Sequence, residues 1–170
     1  MTTPATALRL GRRTVAALIV TVVVVLAAGC GKVEADRGQI AQHLGDAYGA
    51  YLTYVAEPAQ AGKLGPSTAP TDPVAKQAAV AAKYVVLSVE AARTEAAPDA
   101  KLASFAQKTA AAGASLNAVS TVVSTGKPTQ AFIAGGTASL ESLLAAGRDL
   151  GLKIDRSEIT PEQLKDPPAA

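Results

Sequence analysis

Seven residues in the middle of the chain, Leu102, Phe105, Thr109, Ala112, Leu116, Val119 and Val123, follow one another at steps of three and four without a miss. At 3.6 residues per turn such positions share one helix face, whereas on a strand they would scatter over both faces. The spacing predicts a helix packed along a narrow seam at a shallow angle to its neighbours, and Gly126 supplies its stop.

The same period recurs on either side. Ile40, Leu44, Tyr48, Tyr51, Leu52 and Val55 form a stripe in a first helix, read as starting at Gly38 and ending at Pro58. "EPAQAGKLGPSTAPTD", Glu57 to Asp72, has no period and reads as a long surface connection. Asp72-Pro73 then has the pattern of an N-cap followed by proline in the first turn, opening a second helix that runs to Ala96 or Ala97. A fourth helix, about Thr129 to Leu150, carries Ile133, Gly136, Leu140, Leu143, Gly147 and Leu150 on one stripe and ends at Gly151. Beyond it, Thr160-Pro161-Glu162-Gln163 has capping-box spacing, so one short helical turn is expected in an otherwise irregular tail, with a disordered Pro-Pro-Ala-Ala end.

Four amphipathic helices with one long and two short connections predict an all-α fold, an up-down-up-down four-helix bundle over residues 38-151 followed by a tail over 152-170. Composition agrees: from Cys30 onward 32 of 141 residues are Ala, Trp is absent, and only six side chains are aromatic. Ala is the best helix former and is depleted in strands.

The N-terminal segment has a different character. Thr14 to Gly31 is 18 residues without a charge, barely enough helix to cross roughly 30 Å of hydrocarbon. Arg9, Arg12 and Arg13 precede the apolar run, and Ala27, Ala28 and Gly29 close it before the single cysteine, Cys30. Basic start, apolar middle and small-residue end are the layout of a cleaved signal peptide. "LAAGC", Leu26 to Cys30, resembles the lipobox of bacterial lipoprotein precursors. That resemblance implies that Cys30 is the lipidation site, receiving a diacylglyceryl group with palmitate-type acyl chains, and that residues 1-29 are removed. It also implies a lipid anchor in the cell membrane, with the protein on the extracytoplasmic face.

Removal of 1-29 takes three arginines and no acid, which leaves 13 basic against 14 acidic residues and turns a formal charge of +2 into −1. The basicity of the full chain therefore belongs to the export signal, and nucleic acid is not an expected partner. Residues 30-37 form a short tether, so the expected partner is a membrane-proximal envelope protein.

No motif points to chemistry. His43, the only histidine, lies off the apolar stripe and reads as solvent-facing rather than as a catalytic base. A di-metal bundle would need inward carboxylates and Glu-x-x-His pairs, zinc its thiolates and imidazoles, and haem a ligand pair; no metal or cofactor is expected. "STGK", Ser124 to Lys127, has Ser-x-x-Lys spacing, but Gly126 and Pro128 place the lysine past a helix end. The same "GK" lacks the Ser or Thr that a phosphate loop requires next. "GASLN", Gly113 to Asn117, falls inside a helix. The expectation is a non-enzymatic envelope lipoprotein, a structural or protein-interaction module. The alternative is a carrier or sensor of a hydrophobic ligand in the bundle interior. Two features bear on that choice. Tyr48, Tyr51 and Tyr54 share one helix and read as core packing with an interface as the second possibility. Gly135-Gly136 marks either a close helix approach or a break that opens a cavity.

Overall fold

A computed structural model describes residues 34–169. Helix α1 (Arg37–Tyr51) starts where the Asp36 carboxylate accepts the N–H groups of Gly38 and Gln39 at 2.9 and 3.1 Å. Two of the free donors at the helix start are thereby satisfied. The helix begins one residue before the expected Gly38, and Ala35 already packs against the core.

Pro58 does not end this helix. Proline lacks an N–H, and its ring crowds the carbonyl four residues earlier. The chain meets that constraint with a single π-turn, Leu52–Ala56, in which Glu57 N–H reaches back five residues to the Leu52 carbonyl. The wider turn accommodates the ring, and the rod resumes as α2 (Glu57–Gln60). The connection beyond it is accordingly shorter than the sequence suggests. It is also anchored: Lys63 and Leu64 both donate to the Pro58 carbonyl, and the Leu64 side chain is buried.

Helix α3 (Pro73–Ala96) opens on the expected cap, with Asp72 accepting Val74 N–H at 2.8 Å. Eleven of its 24 residues are buried, seven of them alanines, including the first four, so neighbouring backbones can approach it closely from two sides. Helix α4 (Ala103–Ser124) follows a 3₁₀ turn, Ala100–Leu102, and buries only Phe105, Thr109, Ala112, Leu116, Val119 and Val123, the predicted seam residues that fall within it. Leu102 is buried in the preceding turn. Gly126 then takes a φ of +72°, and Lys127 N–H bonds the Val122 carbonyl to close the helix end. Helix α5 (Gln130–Asp149) buries Ile133, Gly136, Leu140, Leu143 and Gly147 as expected, together with Leu144 and Ala146, while Leu150, the last residue of the expected stripe, caps the helix and is half-buried against the core. It ends at Gly151, φ +81°.

The described residues are all-helical, without strands, and the helices pack side by side as a helical bundle. Helix α3 lies against α1 on one side and α4 on the other, α4 against α5, and α5 returns to the rod made by α1, the π-turn and α2. At one end the Arg37 guanidinium donates to the Leu150 carbonyl at 2.9 Å; at the other, the Gln130 amide donates to the Ala59 carbonyl at 2.7 Å.

The chain after α5 is irregular, as expected, and forms the expected short turn, Gln163–Lys165. Its capping box is made: Thr160 N–H donates to Gln163 Oε1 at 2.8 Å, while Gln163 N–H points back to Thr160 Oγ1 at 3.4 Å. The segment lies on the bundle as a strap. Leu152, Ile154, Ile159 and Leu164 are buried, and Pro167 and Pro168 are half-buried. Along α1 the strap runs in a notch cut by Gly45 and Gly49, one helical turn apart. A Cβ on Gly45 would overlap the Asp155 carbonyl, and one on Gly49 would overlap that of Ser157. Ser157 N–H donates to the Gly45 carbonyl at 3.2 Å.

The two kinds of glycine should respond oppositely to a methyl group. Gly49→Ala drives a Cβ into a backbone oxygen that cannot rotate away, and is expected to cost about 1–3 kcal/mol. Gly135→Ala faces open space and should gain about 1 kcal/mol from helix propensity. Urea unfolding of both variants, followed by circular dichroism, checks the contrast.

Candidate functional site

Cys30, the one residue to which the sequence assigns a covalent role, lies outside the described residues, as does the segment read as a signal peptide. Among the described residues no helix is long and apolar enough to cross a membrane, and none of their His, Cys, Asp and Glu side chains group in threes that could hold a metal ion. The remaining candidates sit on α1, the α4 end and α5.

The tyrosines separate by depth. Tyr51, at the last turn of α1, is buried, and its hydroxyl donates to the Ile133 carbonyl of α5 at 2.7 Å. It fills the space left by Gly136, where a Cβ would overlap the phenol oxygen. Gly136 is thus the close approach, and no cavity opens there; its neighbour Gly135 faces outward with nothing near it. Tyr54, in the π-turn, is half-buried and donates to the Ile159 carbonyl of the strap at 2.6 Å. Tyr48 is half-buried as well, packed against the core. The first two tyrosines therefore have internal partners. Both phenols ionise less readily than usual. Burial is the main cause for each, and the Glu162 carboxylate adds to it at Tyr54.

His43 is half-buried on α1 rather than fully solvent-facing. On the facing helix, burial again raises the Tyr84 phenol, helped by the Asp46 carboxylate. Ser88, on the inner face of α3, is fully buried, and its hydroxyl has no hydrogen-bond partner among the described residues. Such an unmet group typically costs about 1–3 kcal/mol. Glu90 and Arg93 form an ion pair one turn apart on α3, which lowers the Glu90 carboxyl. The Arg156 guanidinium of the strap reaches Glu57 Oε1 and Thr53 Oγ1, both at 3.0 Å.

Ser124 and Lys127 do not share a helical turn. The helix ends at Ser124, whose hydroxyl donates back to the Ser120 carbonyl at 2.7 Å, and the left-handed Gly126 redirects the chain before the exposed Lys127. Ser115 of "GASLN" sits within α4 with its hydroxyl on the Ala111 carbonyl at 3.4 Å. That outer side of α4 belongs to a surface the sequence reading passed over. Two open hollows, each of about 440 Å³, lie end to end between α4 and α5 and share Ser115 and Ser139. Beside Leu143, Val119 and Phe132 they are lined mostly by Ala, Ser and Gly, with Lys108 in the first, so no stripe of large apolar residues marks them in the sequence. A different signal was present: between Thr109 and Leu140 the sequence has one charged residue, Lys127.

Comparison with known protein families, with curated proteins and with solved structures finds no match to this chain.

Because the buried Tyr51 holds its proton above the ordinary phenol value of 10.0, the unfolded chain releases this proton first as pH rises. Its contribution to stability is complete below about pH 10 and falls above it by about 1.4 kcal/mol per pH unit. Tyr51→Phe should be less stable at pH 7, by about 1 kcal/mol for the lost hydrogen bond, yet show a shallower alkaline decline. Unfolding free energies measured from pH 7 to 11 check the crossing trend.

Proposed function

We propose that the protein is a lipid-anchored envelope lipoprotein that acts through protein contacts and not by catalysis. The reading starts from "LAAGC" at the end of the apolar N-terminal run. The observation that carries it into the structure is where the packed domain begins: Asp36 caps α1 and Ala35 already touches the core. Only four or five residues then separate Cys30 from ordered packing, a reach of about 20 Å at full extension. With two or more acyl chains on Cys30 the anchor is stable, and the bundle works close to the bilayer against a membrane-proximal partner. The helices are connected up-down-up-down; the Arg37 to Leu150 bond at one end and the Gln130 to Ala59 bond at the other support this. The alternative, a carrier of a hydrophobic ligand, starts from the small side chains of the second to fourth helices, which could leave a cavity; at Gly136 the space is filled by Tyr51.

Mass spectrometry of the mature chain should find an N-terminal Cys30 bearing acyl groups, and Cys30→Ser should leave an uncleaved precursor. An unmodified Cys30 in the mature protein overturns the lipoprotein reading. The short reach is tested separately by inserting a flexible segment of about 20 residues after Glu34, ahead of the cap so that α1 is untouched. Activity is expected to fall while lipidation and helicity are retained. Full complementation of a deletion phenotype by this variant overturns the membrane-proximal requirement.

A further inference from the structure

A separate hollow, of about 360 Å³, lies where the end of the strap meets the first turns of α3. Helix α3 lines it with Pro73, Lys76 and Val80, and the strap with Pro161, Leu164 and Lys165. Leu164 is buried at its base, while Val80 is 45% exposed, one of two large apolar side chains so placed among the described residues. Both sides are held before anything binds. The Asp72 cap fixes the start of α3, the Thr160 to Gln163 capping box fixes the strap turn, and each side has a proline with its φ locked. A rigid site loses little freedom on binding.

The charge around the hollow has one sign. Lys76 and Lys165 are the charged residues of the lining; both are exposed, and neither has an ion-pair partner among the described residues. Lys83, also exposed, falls on the same face of α3 as Lys76 and Val80, at helical steps of four and three. Of the acids next to these segments in sequence, Asp72 is engaged on Val74 N–H and Glu162 acts on Tyr54 of the rod. Asp166, beside Lys165, remains. Three amines thus stand against one free carboxylate.

We propose that this hollow is where the protein partner docks, and that it takes an acidic segment carrying one large apolar side chain. The proposal rests on the reading that the protein acts through protein contacts. A buried apolar anchor supplies most of the affinity at such a site, and carboxylates flanking the anchor meet Lys76, Lys83 and Lys165. A second copy of the chain is a poor occupant, because it brings lysines onto lysines. A bilayer is poorly placed. Pro70, three residues before Pro73, packs on Gly126 near the Gln130 to Ala59 bond, whereas the tether enters at Asp36, beside the Arg37 to Leu150 bond. A small ligand would leave much of its surface in water in so open a hollow.

The test uses the full chain in nanodiscs of neutral phosphatidylcholine and a short synthetic peptide whose central benzoylphenylalanine is flanked by glutamates. The peptide should bind saturably, and irradiation should attach it within residues 73–80 or 161–165. Lys76→Glu with Lys165→Glu should weaken binding about tenfold or more with helicity unchanged. A matched peptide with lysines in place of the glutamates should not bind the native chain but should bind the double variant. Attachment elsewhere, no binding, or equal binding of both peptides to the native chain overturns the proposal. None of these readings depends on the state of Cys30, so failure here is distinct from failure of the lipoprotein reading.

Discussion

The bundle closes through the Tyr51 phenol. Helices α1, α3 and α4 follow one another as sequence neighbours with broad contacts, but α5 must return to the rod on which the fold begins, and it meets that rod mainly around the π-turn. There Tyr51 crosses into α5, donates to the Ile133 carbonyl and occupies the volume that a side chain at Gly136 would take. A buried hydroxyl without a partner is costly, so this bond makes one register between the rod and α5 favourable and neighbouring registers poor. The π-turn that relieves Pro58 begins at the next residue. One local backbone adjustment thus bears on both the course of the rod and the closure of the bundle.

An alanine-rich interior has a second consequence. Helix α3 buries mainly alanine over its first half, which permits close helix approach but removes little apolar area per residue. Large side chains must be added from elsewhere. The strap adds four, Leu152, Ile154, Ile159 and Leu164, and it can do so because Gly45 and Gly49 let its backbone lie directly on α1. The strap is therefore part of the core although its own residues have almost no regular structure. Arg156 and Tyr54 pin it from the outside, through Glu57 and through the Ile159 carbonyl.

The same small residues that serve the inside leave α4 and α5 with an outer face of alanine, serine and glycine. Nothing in folding the monomer requires that face to be so poor in charge, with Lys108 the charged side chain lining its hollows, since exposed helix positions accept Lys and Glu readily.

What the sequence by itself determined is whatever a helix expresses locally: the seam from Leu102 to Val123, the caps at Asp72 and Thr160, the glycine stops at Gly126 and Gly151, and the signal-like layout up to Cys30. Each depends on residues within a turn or two of one another, so spacing alone reveals it. Tertiary structure decided the rest. Pro58 reads as a stop until a π-turn is available to carry the helix past it. Gly45 and Gly49 read as poor helix residues until a backbone from more than 100 residues away lies in their notch. Leu152 to Leu164 read as a tail because their apolar side chains have no period, and period is lost when the surface they match belongs to other helices. Only the packed molecule, by bringing α4 beside α5, turns a run of uncharged small residues into a surface.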